Sequence, residues 1–179
     1  MTSPLALISP SLHRAGQFFR GFVTAVTPDD ALAVSALLSP AELQLFLQMR
    51  PRDRRHAVRT MRHAESIAAR DGAGASNDLL TAALLHDVGK GPLRVEDRVL
   101  YVLLRALSPR LLERIAQPDG ARWRDALWRL RHHSEAGAAM LREAGSSARV
   151  VELTARHHHD PAPPDDAELL CLIAADERA

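Results

Sequence analysis

Residues 79–90 read Leu79-Leu80-Thr81-Ala82-Ala83-Leu84-Leu85-His86-Asp87-Val88-Gly89-Lys90. The first seven are apolar on nearly every side, the pattern of a helix enclosed by other helices. His86 and Asp87 then stand together at its end. Burying an imidazole beside a carboxylate is costly unless both are paired or bound to a metal. Adjacent helical residues point about 100° apart, so the two reach one ion only where the helix is ending. The spacing therefore predicts a helix over Leu79–Asp87, with Gly89 as its terminator. Lys90 is the single lysine among 23 Lys and Arg residues. It has two readings, a helix C-cap or a compact cation for a phosphate oxygen.

Working outward, the rest of the chain also reads as helices. The hydrophobic fraction is 46% and the aromatic fraction only 4%, so the core is built of Ala, Leu and Val, which favours helices over a β-sandwich. Start signals recur. Thr27-Pro28-Asp29-Asp30, Ser39-Pro40-Ala41-Glu42 (with a capping box) and Ser108-Pro109 each place an N-cap before a proline. Asn77-Asp78, Ser146-Ser147 and Asp165-Asp166 precede helices at Leu79, Ala148–His158 and Ala167–Glu177. Asp71–Ser76 and Asp160–Asp165 read as loops. The expectation is one all-α domain of eight to ten helices. Residues 1–50 form a short helical extension packing on residues 51–179, with Phe18, Phe19, Phe22 and Val23 on one stripe and Leu43, Phe46 and Leu47 on another.

Composition excludes several classes. A net charge of +1 without a basic run gives no indication of nucleic-acid binding. One cysteine, Cys171, rules out an intrachain disulfide and a cysteine zinc cluster, and its apolar surroundings make it a small core residue. Val99–Leu107 is too short and too interrupted by Arg105 to span a bilayer. The N-terminal stretch lacks a basic leader, so a cytoplasmic protein is expected.

A His-Asp pair alone says little: nine histidines and 13 aspartates in 179 residues give about 0.65 such pairs by chance. The arrangement over successive helices carries more. His56 lies near the start of a helix over Asp53–Arg70. His133 sits at the junction of the Trp123–Arg131 and Ser134–Ala144 segments and is favoured over His132. His157 shares a stripe with Val150, Leu153 and Thr154; His158 is the alternative, and His159 falls at the helix end. Asp176 follows Leu172 and Ile173 on an apolar face. His63 is a weaker candidate, and His13 lies outside the pattern. Imidazole and carboxylate together suit Zn, Mn, Fe or Co. Arg52, Arg54, Arg55, Arg59 and Arg62 flank His56. They read as a solvated helix face that can also draw in an anionic substrate, Arg59 among them.

In this order, His56, Leu84–Lys90, His133-Ser134-Glu135, Arg156-His157-His158 and Ala175-Asp176 resemble the HD-domain metal-dependent phosphohydrolases over roughly residues 50–179. The resemblance implies an all-helical bundle with a central metal site. It implies a core ligand set of His56, His86, Asp87 and Asp176. His133 and His157 match the extra histidines of two-metal members, with Asp87 as bridge. The set is similar to that of cyclic-dinucleotide phosphodiesterases and bacterial diadenosine tetraphosphate hydrolases. It departs from the first in lacking a GYP tripeptide and from the second in having Gly89 before the lysine. It also lacks the glutamate three residues after Asp87 of the mononuclear nucleotidases, where Lys90 stands instead.

The implied activity is hydrolysis of a phosphate ester or anhydride, of a nucleotide or dinucleotide, by hydroxide generated on two divalent ions (Mn, Fe, Co, Zn or Mg). Asp87 and Lys90 are then the catalytic residues, and Lys90 and Arg59 the substrate contacts. His63 and Glu135 are the candidates for a general acid. The alternatives are a di-iron oxygenase on the same fold and a non-catalytic nucleotide-sensing module.

Overall fold

The computed structural model describes residues 27–70, 72, 74–158 and 166–179. The stripe of Phe18, Phe19, Phe22 and Val23, His13, His159 and the 160–165 turn lie outside the described residues. Among the described residues there are nine α-helices and one 3-10 turn, with no strand. They are α1 Pro28–Leu37, α2 Pro40–Gln48, α3 Pro51–Arg70, α4 Asn77–Leu85, the 3-10 turn Val88–Lys90, α5 Val95–Leu107, α6 Pro109–Ile115, α7 Arg122–Glu143, α8 Ala148–Arg156 and α9 Ala167–Arg178. No described helix is long and apolar enough to cross a membrane.

The caps follow the sequence with adjustments. Thr27 and Ser39 accept the expected backbone N–H bonds, and Glu42 completes a capping box at α2. Ser76 caps α4, so Asn77 is its first helical residue and not its cap. Ser147 and Asp166 cap α8 and α9. Ser108 makes no side-chain cap bond, and α6 starts on Pro109 alone.

Helix α4 is the centre of the molecule. Every residue from Leu79 to Leu85 is buried, as a helix apolar all round requires. It is enclosed by α3, α8 and α9, with α1 and α2 against it as well. Ala31, Val34, Leu38, Phe46 and Met49 of the first two helices and their ends belong to the same hydrophobic core as α3, α4, α8 and α9. Cys171 is buried there against the Ala64 carbonyl. Arg149 links α8 to α9 through Asp166 and Glu168.

A second apolar cluster of Leu93, Ala126 and Leu130, flanked by Tyr101, seats α5 on α7. The buried Asp97 reinforces this seat by pairing with Arg122 at 2.8 Å, and Arg98 ties α5 to α3 through Asp53 at 2.7 Å. The arginines of α3 do not all form the expected solvated face. Arg54 is buried, and Arg62 bonds Asp30 of α1 and Glu65.

Candidate metal centre

Helix α4 stops at Leu85, earlier than Gly89 would dictate. His86 still has αR geometry (φ −53°, ψ −31°), whereas Asp87 leaves it (φ −99°, ψ 3°). That change lets two adjacent side chains face one point. Gly89 has a different task. A Cβ there would lie 2.1 Å from the His133 carbonyl oxygen and 2.5 Å from the Gly137 nitrogen. Glycine thus allows the 3-10 turn to lie directly on α7.

Helix α7 is continuous from Arg122 to Glu143 but kinked at His132 (φ −112°, ψ 16°). The junction expected before His133 is this kink. It leaves His132 half-exposed, against Trp128, and turns His133 into the interior. His157 stands just past the end of α8, and Asp176 is in the last turn of α9.

Three of the histidines are held in one way. His86 Nδ1 lies 3.0 Å from the Ala83 carbonyl, His133 Nδ1 2.9 Å from that of Leu130, and His157 Nδ1 2.7 Å from that of Thr154. A carbonyl only accepts, so each Nδ1 carries the donated proton and each ring turns its Nε2 inward. Outer-shell bonds of this kind fix the orientation of metal-binding imidazoles. Each histidine follows a helix end or the kink.

The Nε2 atoms converge on Asp87. Its Oδ1 is 3.4 Å from His133, 3.5 Å from His86 and 3.9 Å from His157, and its Oδ2 is 3.8 Å from His56. Asp176 Oδ1 is 2.8 Å from His56 Nε2 and 3.2 Å from His86 Nε2. His158 lies at the rim, its Nε2 3.0 Å from that of His133. Lys90 Nζ donates to Asp87 Oδ2 at 2.5 Å.

The electrostatics call for positive charge. Burial works to raise the pKa of Asp87, yet His86, His133 and Lys90 hold it well below the usual carboxylate range. Burial also opposes ionisation of Asp176, and contacts with His56 and His86 again prevail and lower it. Burial disfavours the charged form of His86, but Asp87 and Asp176 raise its pKa overall. Burial pushes His157 down to about 2, with the charge of His86 adding to the effect, so it stays neutral.

The residues fit a divalent cation. His86 Nε2, Asp87 Oδ1 and His157 Nε2 are buried without a hydrogen-bond partner, a costly state that an ion relieves. Candidate ligand atoms within 4.8 Å of one another form three groups: His56, His86 and Asp176; His86, Asp87 and His157; and His133, His157 and His158. The donors are imidazole nitrogens and carboxylate oxygens, the mix expected for Mn, Fe, Co or Zn.

A cavity of about 700 Å³ adjoins the centre, reached by Lys90, His133 and His158 and walled by α5, α6 and α7. Glu135 is on its wall; His63 and the exposed Arg59 are not among its lining. Sequence reasoning missed the α5 residues Arg98, Tyr101 and Arg105, which line the cavity. Their i, i+3, i+7 spacing was the available signal. It also missed the three carbonyls, each lying three residues before its histidine.

Comparison with curated proteins and with solved structures gives no match to this chain. A family model, the HD domain, matches residues 54–179 and so includes every residue of the centre. The chain belongs to the HD domain family, a superfamily of metal-dependent phosphohydrolases.

Proposed function

We propose that this chain hydrolyses a phosphate ester or anhydride of a nucleotide or dinucleotide, using one or two divalent ions. The supporting observation is the convergence of buried, unpartnered Nε2 and Oδ atoms beside a cavity that Lys90 also faces. His56, His86, Asp87 and Asp176 would hold one ion. Asp87, His133 and His157 would hold a second, with His158 at its rim.

Bound there, such ions lower the pKa of a coordinated water and offset phosphoryl charge. The protein's own groups do the rest. The Ala83, Leu130 and Thr154 carbonyls hold three imidazoles through Nδ1 and keep their Nε2 atoms aimed inward. Lys90, tethered to Asp87, presents a point charge to a phosphoryl oxygen at the cavity floor. Glu135 lines the cavity, and this reading gives it the role of passing a proton to the leaving oxygen.

The test is a phosphate-release screen over nucleotides and dinucleotides with Mn, Fe, Co and Mg in turn, wild type beside Asp87→Ala. Metal-dependent release by wild type alone is expected. Equal activity in both proteins would sink the site assignment. Oxygen consumption by iron-loaded protein without phosphate release would favour the oxygenase instead.

A further inference from the structure

The cavity is much larger than a phosphoryl group needs; its volume of about 700 Å³ suits an organic molecule of nucleotide size. Its two ends differ. The inner end carries Lys90, His133 and His158. The outer wall is one face of α5, with Arg98, Tyr101 and Arg105 spaced i, i+3, i+7.

Arg98 is fixed at the inner end, because its partner Asp53 lies one turn before His56 on α3. Arg105 is seven residues further, about 10 Å along the helix at 1.5 Å per residue. The charge balance also changes along the wall. Asp53 offsets Arg98, and Glu113 offsets Arg131 at 2.8 Å. Arg105 has no carboxylate partner among the described residues and is left to attract an anion. Between the ends, Tyr101 is packed against the Leu93, Ala126 and Leu130 cluster, which holds its ring as a fixed plate. Leu112, Leu130 and Val102 supply apolar surface around it.

We infer that the substrate is an aromatic nucleoside carrying a second anionic group besides the reacting phosphate, with Tyr101 and Arg105 of α5 as its contacts. One phosphate lies at Lys90, the base against Tyr101, and the second anion on Arg105. This assignment deepens the phosphohydrolase reading and rests on it.

The test uses manganese-loaded, full-length protein and thermal shift at graded concentrations of adenosine 5′-monophosphate and adenosine 3′,5′-bisphosphate. Wild type is expected to need about tenfold less of the bisphosphate for half-saturation, the scale of one charge-assisted contact. Arg105→Ala, an exposed position, abolishes that preference, and Tyr101→Leu, which keeps apolar volume, weakens both ligands. Circular dichroism checks the fold of each variant. A preference that survives in Arg105→Ala, or a wild type stabilised by neither nucleotide, overturns the assignment. Phosphate release from p-nitrophenyl phosphate by wild type separates the two readings. Release with no Arg105 dependence of nucleotide binding defeats the α5 assignment alone. No release from this ester or from any nucleotide, with nucleotide binding as expected, defeats the hydrolytic reading instead.

Discussion

Lys90 is bonded to the carboxylate that every histidine of the centre faces, and it also lines the cavity. Its sequence left capping and phosphate contact equally open, because the side chain's direction depends on Asp87 leaving helical geometry. With the side chain committed to the cavity, Lys90→Ala should lower kcat/KM about ten- to a hundredfold, the worth of one charge-assisted hydrogen bond. Lys90→Arg should not restore it, since a planar fork does not replace a point charge. Metal content, measured by elemental analysis, should be unchanged in both. Loss of metal together with activity would show that Lys90 only holds Asp87 in place. At this scale the sequence was explicit about residue types and silent about atoms. It offered His86, His133 and His157, but nothing in it says that Nδ1 is tied to a carbonyl three residues back and Nε2 is the atom turned inward. It also left His157 and His158 as alternatives, whereas the structure puts the first in the interior and the second at the rim.

Among the elements, the packing of the 3-10 turn on α7 is the tightest constraint, and it passes through two glycines. Gly89 read locally as a helix stop. The local pattern holds no trace of a helix some 45 residues later, so the real reason for the glycine was not legible. At Gly89 an added methyl group meets the His133 carbonyl at 2.1 Å and cannot be accommodated without moving α7. At Gly137 the nearest atoms are 3.3–3.4 Å away, and two of them are side-chain methyl carbons of Thr154 and Val88. Alanine in a helix gains about 1 kcal/mol over glycine, which offsets such modest crowding. Gly89→Ala should therefore cost about 3 kcal/mol or more, while Gly137→Ala stays within about 1 kcal/mol. Urea unfolding of both variants checks the order, and equal effects would show that the close approach does not constrain the fold. By contrast, the helix starts at Pro28, Pro40 and Ala167 were readable, because capping chemistry is local. The break before His133 was readable too, although it turned out to be a kink and not a gap.

At the scale of the molecule, the centre joins five separated parts of the chain, α3, the end of α4, α7, α8 and α9, through residues from His56 to Asp176. Their order in the sequence pointed to one site, because few arrangements of a helical bundle would bury so many histidines and acids at no cost. The distances could not be read, since they depend on how α4 is enclosed. The same geometry predicts coupling between metal and stability. In the unfolded chain these ligands are far apart, so an ion binds the folded state almost exclusively and stabilises it by mass action, about 2.7 kcal/mol at a hundredfold excess over Kd. For a chain of this size that is a rise in Tm of about 5–10 °C. Chelation should lower Tm by this amount and added manganese restore it, whether or not the substrate has been identified. Asp87→Asn should abolish the response, because this carboxylate faces His56, His86, His133 and His157 together. His132→Ala, on the outer side of the kink, should keep it. A Tm indifferent to chelator in the wild type would mean that the buried lone pairs find their partners elsewhere, and the centre would then have to be read as a polar core and not as a metal site.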